Sequence, residues 1–335
     1  MNNPTNVKKP RPFAWLRRFP STWLKVAVAV GVVALLVHFN RVDASVLAGL
    51  VRTWPWLLGA LFLMLPPFLL VSLRFKLILA SQGIHASLSQ AVRWTMIGAF
   101  FDLAMPSSCG GDLVKMGYLV KHAEAGQGTR AIMTVAFDRL LGMLGLFLLA
   151  FAAGSFGWAT LKEMPGRGMV VSITFVASLG TLAFLRLSGS RRLHRNATLD
   201  RFLSRSIWGV HLKQLITSFN ALRERPGSFF LALGLSVLNH VFWCASLFCI
   251  TRVLGDTVAP TKGFVVFPLA LFGNLFGIAG GFGVGTAGFD LIFSQFLAVG
   301  NGALVGLLFQ TLAAVVRLAG LPFYLFSMPA READR

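Results

Sequence analysis

The sequence predicts an all-α membrane protein with about six full transmembrane helices and two re-entrant helical hairpins, arranged as an inverted repeat. Three observations predict it. Hydrophobic residues make up 56% of the chain and charged residues only 13%, a balance typical of polytopic helical membrane proteins. The charges lie in loops between apolar runs, where they set topology. A Pro-Ser-Ser-Cys-Gly-Gly break, Pro106–Gly111, interrupts one apolar region, and a second glycine-rich break, GGFGVGTAG at Gly280–Gly288, interrupts another.

The two regions match each other. Shifted by 178 positions, Gly110–Gly142 lies over Gly288–Gly320 without a gap, and Asp112 meets Asp290, Arg139 meets Arg317 and Gly142 meets Gly320. Tyr118 meets Phe296. The spacing from Asp112 to Arg139 is 27, as is that from Asp290 to Arg317. Arg74 falls on Arg252. This reads as an internal duplication.

Taken in order, residues 1–20 form a basic tail; Lys8, Lys9, Arg11, Arg17 and Arg18 face no acid, which keeps the tail cytoplasmic. The first repeat covers 21–157. Its first apolar run, about Ser21 to Phe39, has a short apolar centre and so also resembles a signal peptide. An uncleaved helix is preferred, because each half needs one. The second span runs from about Trp56 to Leu79, with a kink expected at Pro66-Pro67. A hairpin over 91–120 follows, two pieces too short to cross a bilayer that requires about 20 apolar residues. Basic residues flank it on both sides, so it dips in from the cytoplasm. The third span is about Ala131 to Ser155.

The second repeat covers 168–328. Met169–Leu187 returns the chain to the cytoplasm, where 188–228 carries eight Lys or Arg against Asp200 and Glu224. Apolar residues recur there at near-helical spacing, the pattern of an amphipathic helix on the inner leaflet. It serves either to recruit anionic lipid or, the preferred reading, as a positive-inside connector. Phe229–Thr251 spans outward, a hairpin over 263–299 follows, and Ala303–Phe326 makes the last span. Three spans per half is an odd number, so the halves enter the membrane upside down relative to each other. Broken helices meeting in such an arrangement are common in secondary transporters.

Ionisable side chains and helix breaks at membrane depth mark candidate sites. Arg139 and Arg317 lead, since a guanidinium keeps its charge and grips phosphate in a two-pronged fork. They bind a phosphate-bearing lipid, or they tie down carbonyls or pair with Asp112, Asp138 or Asp290. Asp112 and Lys115 share a helix face just after the break. They contact a headgroup, or they neutralise each other. Tyr118 completes the candidate substrate set. Pro106, Gly110, Gly111, Gly281, Gly283 and Gly285 are the expected hairpin breaks. Asn239, His240, Asn274 and Gln310 read as helix-packing hydrogen bonds, with His240 a candidate for proton coupling.

Other classes find little support. The net charge of +19 lies in loops and suits anionic lipid headgroups rather than nucleic acid. Cys109, Cys244 and Cys249 show neither paired nor metal-ligand spacing. Gly283 and Gly285 follow no strand, so they make no dinucleotide fingerprint. The sequence positions no catalytic constellation, and no cofactor or metal is expected.

GGDLVKMGYLVKH followed by AFDRLLG, and then GGFGVGTAGFD, resembles the signatures of the lysylphosphatidylglycerol synthase transmembrane region, the flippase-like domain family. The resemblance covers about residues 20–328. It departs at two places: Thr286 stands where an acid is common in the second signature, and Gly142 stands where an acid follows Arg-Leu-Leu. The resemblance implies a translocase part without the soluble aminoacyl-transferase domain. The expected function is therefore a lipid translocase in the cell membrane with both termini cytoplasmic, and not an enzyme. Its partners would be anionic membrane lipids, with a homo-oligomer or a lipid-modifying enzyme as further partners. An integral membrane enzyme on a lipid-linked substrate and an accessory subunit of a lipid-modifying system are the alternatives.

Overall fold

The computed structural model describes residues 52–104, 110–123, 127–162, 167–188, 209, 221–222, 224–275, 284–297, 299 and 301–327. The expected first apolar run, Ser21–Phe39, lies outside the described residues, as do nearly all of the connector 188–228 and the breaks at Pro106, Gly281 and Gly283.

The apolar run that opens at Trp54 folds as two helices, α1 (Trp54–Leu63) and α2 (Pro66–Ser81). They part where Pro66-Pro67 falls, because neither proline nitrogen can donate to the preceding turn. Past α2, Gly83 takes φ +74° and the Ile84 N–H donates back to the Leu79 carbonyl at 3.0 Å. This is a left-handed glycine stop, a conformation a side chain would strain. The chain then runs through α3 (Leu88–Ala104), α4 (Gly110–His122), α5 (Gly128–Phe156), the single turn α6 (Trp158–Leu161) and α7 (Arg167–Ser188).

The later half repeats that order. The long α8 (Pro226–Val253) ends in the same stop, with Gly255 at φ +86° and the Asp256 N–H on the Thr251 carbonyl at 2.9 Å. Two short helices follow, α9 (Pro260–Asn274) and α10 (Val284–Leu297), and then α11 (Gly302–Leu318) and α12 (Gly320–Leu325). Arg74 and Arg252, matched in sequence, stand in different surroundings: Arg74 is buried at 4% exposure, whereas Arg252 is exposed and lies over the Trp56 ring at 5.9 Å.

Among the described residues, four segments are long and apolar enough to cross a membrane, namely Trp54–Ser81, Gly128–Phe156, Pro226–Val253 and Gly302–Leu325. At about 1.5 Å per residue the longer ones exceed the ~30 Å hydrocarbon layer. By the same measure α3 and α9 reach only ~23–26 Å, so each needs its partner helix. α3 packs on α4 and α9 on α10. Each pair also leans on the other half, α9 against α5 and α3 against α11 and α12.

The chain is thus a multi-pass all-helical membrane protein, without a strand among the described residues. Large apolar side chains such as Phe62, Phe230 and Val176 face outward, as lipid contact requires. Lipid tails are as apolar as the side chains, so helix association depends on close fit and small residues. Phe267 and Phe293 stack at 5.4 Å inside a core that also holds Phe289 and Phe309. Gly302 and Gly306 let α11 lie flat against the Phe289 and Phe293 side chains.

Other glycines have no such neighbour, Gly117 among them. A methyl group at Gly117 in α4 would meet nothing within 4 Å. Gly117→Ala should therefore stabilise the protein by about 0.5–1 kcal/mol through helix propensity, seen as a higher Tm in detergent.

Candidate functional site

A cavity of about 280 Å³ opens at the centre of the bundle. Seven helices supply its polar lining. On α3, Thr95, Gly98, Ala99 and Asp102 recur at helical spacing and so share one face. Asp112 and Lys115 come from the first turns of α4, and Asp138, Arg139 and Gly142 from the middle of α5. α2 gives Arg74. The later half gives Asn239 and His240 on α8, Asn274 at the end of α9 and Arg317 near the end of α11.

Charge is arranged in pairs. Arg74 Nε meets Asp138 Oδ1 at 2.8 Å, with side chains 5% and 7% exposed, and Arg74 Nη1 also donates to Ser236 Oγ at 3.0 Å. This pair ties α2, α5 and α8 together inside the bundle. Arg139 pairs with Asp112 and so fixes α4 to α5, but its side chains are 29% and 22% exposed. Asp102 accepts the Gly111 N–H at 2.8 Å, bridging the end of α3 to the first turn of α4. A carboxylate at a helix start meets both a free N–H and the positive end of the helix dipole. Asp102 also interacts electrostatically with Arg317. Lys115 has no carboxylate partner among the described residues; its ammonium sits 4.6 Å from the Phe75 ring centre.

The uncharged groups form a second network. His240 Nε2 lies 3.0 Å from the Gly142 carbonyl, an acceptor, so that nitrogen carries the proton. Thr286 donates to Gln310 Oε1 at 2.8 Å, and Gln310 Nε2 donates to Asn274 Oδ1 at 2.9 Å. Thr95 Oγ1, Asn239 Oδ1 and His240 Nδ1 are buried without a hydrogen-bond partner among the described residues.

Of the residues singled out from sequence, Asp112, Lys115, Asp138, Arg139 and Arg317 converge on this cavity. Tyr118 and Asp290 do not. The Tyr118 hydroxyl meets Ser327 Oγ at 3.0 Å on another face of α4. Asp290 is exposed and accepts the Ala303 N–H at 3.0 Å, capping α11. Thr286 of α10 reaches the Gln310 side chain on α11, as Asp112 of α4 reaches Arg139 on α5. The glycines need correction too. Gly110 and Gly111 open α4 and Gly285 is inside α10, so none of them forms the break itself. Gly111 lies directly against the Gly98 carbonyl, and a methyl group at Gly285 would collide with the Asn274 side chain. These glycines allow backbone contact between helices.

Sequence reasoning gave no site role to Arg74, Thr95 or Asp102, and it read Asn239, Asn274 and His240 as packing groups, with His240 also a candidate for proton coupling. One signal was available for α3. Thr95 and Asp102 stand two turns apart on a helix whose face between them is Gly98-Ala99, a polar stripe with room beside it.

The family model described as the lysylphosphatidylglycerol synthase TM region matches residues 22–320 of the chain. A UPF0104 membrane protein of Methanocaldococcus jannaschii is 22% identical over 334 residues, covering 93% of this chain and 98% of that protein. No solved structure matches the chain.

Proposed function

Because the chain belongs to the lysylphosphatidylglycerol synthase transmembrane-region family, we propose that it is a translocase moving a phosphate-bearing lipid, of phospholipid or polyprenyl-phosphate type, between leaflets. One observation carries the reading. Arg74, Lys115, Arg139 and Arg317 meet around a single cavity in a bundle whose outer faces are apolar. Charges at that depth are costly and are retained where they line a path for polar cargo.

The two ion pairs take different parts. Arg74–Asp138 is buried and holds helices together. Arg139–Asp112 is the more exposed pair, 29% and 22% against 5% and 7%, so its guanidinium can exchange a carboxylate for a phosphate at little net cost. The phosphate lies against Lys115, Arg139 and Arg317 while the acyl chains remain in lipid. The two halves sit in opposite orientations, and their rocking exposes the cavity to each leaflet in turn. The chain breaks no bond. Its partners are anionic lipids of the cell membrane, and the basic N-terminal tail lies on the cytoplasmic side.

The test is lipid scrambling by purified protein in vesicles, read by quenching of a headgroup-labelled phospholipid. Lys115→Gln and Arg139→Gln should each slow translocation about tenfold or more, as expected for loss of a charge-assisted contact. Wild-type rates in both variants, with Tm unchanged, would refute the proposal.

A further inference from the structure

A lipid phosphate carries negative charge, and moving it alone between leaflets works with or against the membrane potential. A proton that travels with it removes that dependence. If the chain translocates a phosphate-bearing lipid, as proposed above, such a proton needs a side chain at membrane depth that takes it up together with the cargo.

His240 is placed for this. It lies near the middle of α8, a segment long enough to cross the membrane, and it lines the cavity. Its Nε2 is 3.0 Å from the Gly142 carbonyl and carries the proton of the neutral ring, so Nδ1 is a bare acceptor. That atom is buried without a hydrogen-bond partner among the described residues. Ionised phosphate oxygens only accept, so phosphate and a bare Nδ1 repel each other. With a proton on it Nδ1 becomes a donor, and imidazolium and phosphate can make a charge-assisted bond. Phosphate and proton therefore favour each other's binding, and the effect is reciprocal.

The surrounding groups leave this role to the imidazole. α8 packs against α1, α2, α5, α9 and α11. α1 carries no ionisable side chain, and Lys262 of α9 stands at the end away from the cavity-lining Asn274. Into the cavity α2 brings Arg74, α5 brings Asp138 and Arg139, and α11 brings Arg317. An arginine keeps its proton. Cys244, one turn on in α8, is buried in an apolar cluster. The carboxylates are already engaged: Asp138 with Arg74, Asp112 with Arg139, and Asp102 with the Gly111 N–H and, electrostatically, with Arg317. Protonating one of them would strip a guanidinium of its counter-charge. Lys115 is the other titratable group of the lining, its ammonium 4.6 Å from the Phe75 ring centre.

We infer that the chain moves its lipid together with a proton in the same direction, with His240 as the proton carrier. A proton from water adds to Nδ1 as the phosphate enters the cavity, and it returns to water on the other side as the phosphate leaves. The neutral ring resets with the empty cavity. One proton offsets one phosphate charge, so transfer of a monoanionic lipid moves no net charge.

The experiment measures the steady-state leaflet distribution of acyl-labelled phosphatidylglycerol in phosphatidylcholine vesicles holding the full chain. Albumin extraction of the outer leaflet gives the readout, set against protein-free vesicles. Across a gradient of about one pH unit, the wild type should enrich the probe about tenfold in the leaflet facing the alkaline side, since lipid and proton balance as a product. A potassium-diffusion potential of about 59 mV, worth tenfold for one uncompensated charge, should leave the leaflets even. In His240→Gln, whose amide can still donate to Gly142, the response to pH should vanish and a response to potential should replace it. Lys115→Arg, with a charge it cannot shed, should keep the tenfold ratio. A steady-state ratio does not depend on rate, and the wild-type arms need no variant to fold. Even leaflets under the pH gradient, or enrichment facing the acidic side, in a wild type that moves the probe overturn the coupling and leave the translocase reading standing. A ratio that survives His240→Gln, or is lost in Lys115→Arg, overturns the assignment to His240. A wild type that moves no probe under any condition removes both readings.

Discussion

Asp138→Ala is expected to destabilise the protein by about 3–5 kcal/mol, the cost of removing one partner from a buried ion pair. The Arg74 and Asp138 side chains are 5% and 7% exposed, and the arginine keeps only Ser236 as a partner once the carboxylate is gone. A guanidinium cannot shed its charge to escape. Thermal unfolding in detergent, followed by helical circular dichroism, should show a large fall in Tm. The double variant Arg74→Met/Asp138→Leu removes both charges and should recover most of the loss. Asp112→Ala supplies the contrast. Its pair with Arg139 is 22–29% exposed, so its cost should stay near or below about 1 kcal/mol. A small effect at Asp138 would mean that water reaches the pair.

The second large effect is expected at a glycine. In Gly111→Ala the new methyl group would enter the Gly98 carbonyl and crowd the Asp102 carboxylate. Backbone cannot swing aside as a long side chain can, so α3 and α4 must separate. Overpacking of this kind costs about 1–3 kcal/mol or more, and here it also breaks the Gly111 N–H bond to Asp102. Expression yield and Tm should both drop for Gly111→Ala while Gly117→Ala, six residues on in the same helix, gains stability. If the two variants behave alike, the close approach of α3 and α4 is wrong.

The four spans at Trp54–Ser81, Gly128–Phe156, Pro226–Val253 and Gly302–Leu325 were legible from sequence because hydropathy and length report them directly, and Pro66-Pro67 marked the break between α1 and α2. Asp112 and Asp290, matched in sequence, differ in surroundings: Asp112 pairs with Arg139 and lines the cavity, whereas Asp290 is exposed and caps α11. Glycines were ambiguous, since the same residue marks a chain reversal and a helix contact. Arg74 and Asp138 are 64 positions apart, and nothing local in either segment announces the other. Asp112, Lys115, Asp138, Arg139 and Arg317 were visible in the motifs, whereas Arg74, Asn239 and Asn274 are single polar residues with no pattern of their own.

The two tightest backbone contacts in the bundle lie two residues apart on α3. The Gly98 carbonyl takes a Cα–H from Gly111 of α4, and the Met96 carbonyl meets Gly320 at the start of α12. Successive alternate residues on a helix point to nearly opposite sides, so α3 is gripped like a bolt between two jaws, one from each half of the chain. Such Cα–H···O contacts fade within a fraction of an ångström, and a slide of one residue, ~1.5 Å, would release both at once. Gearing follows: through α3, the hairpin of α3 and α4 is locked to α12.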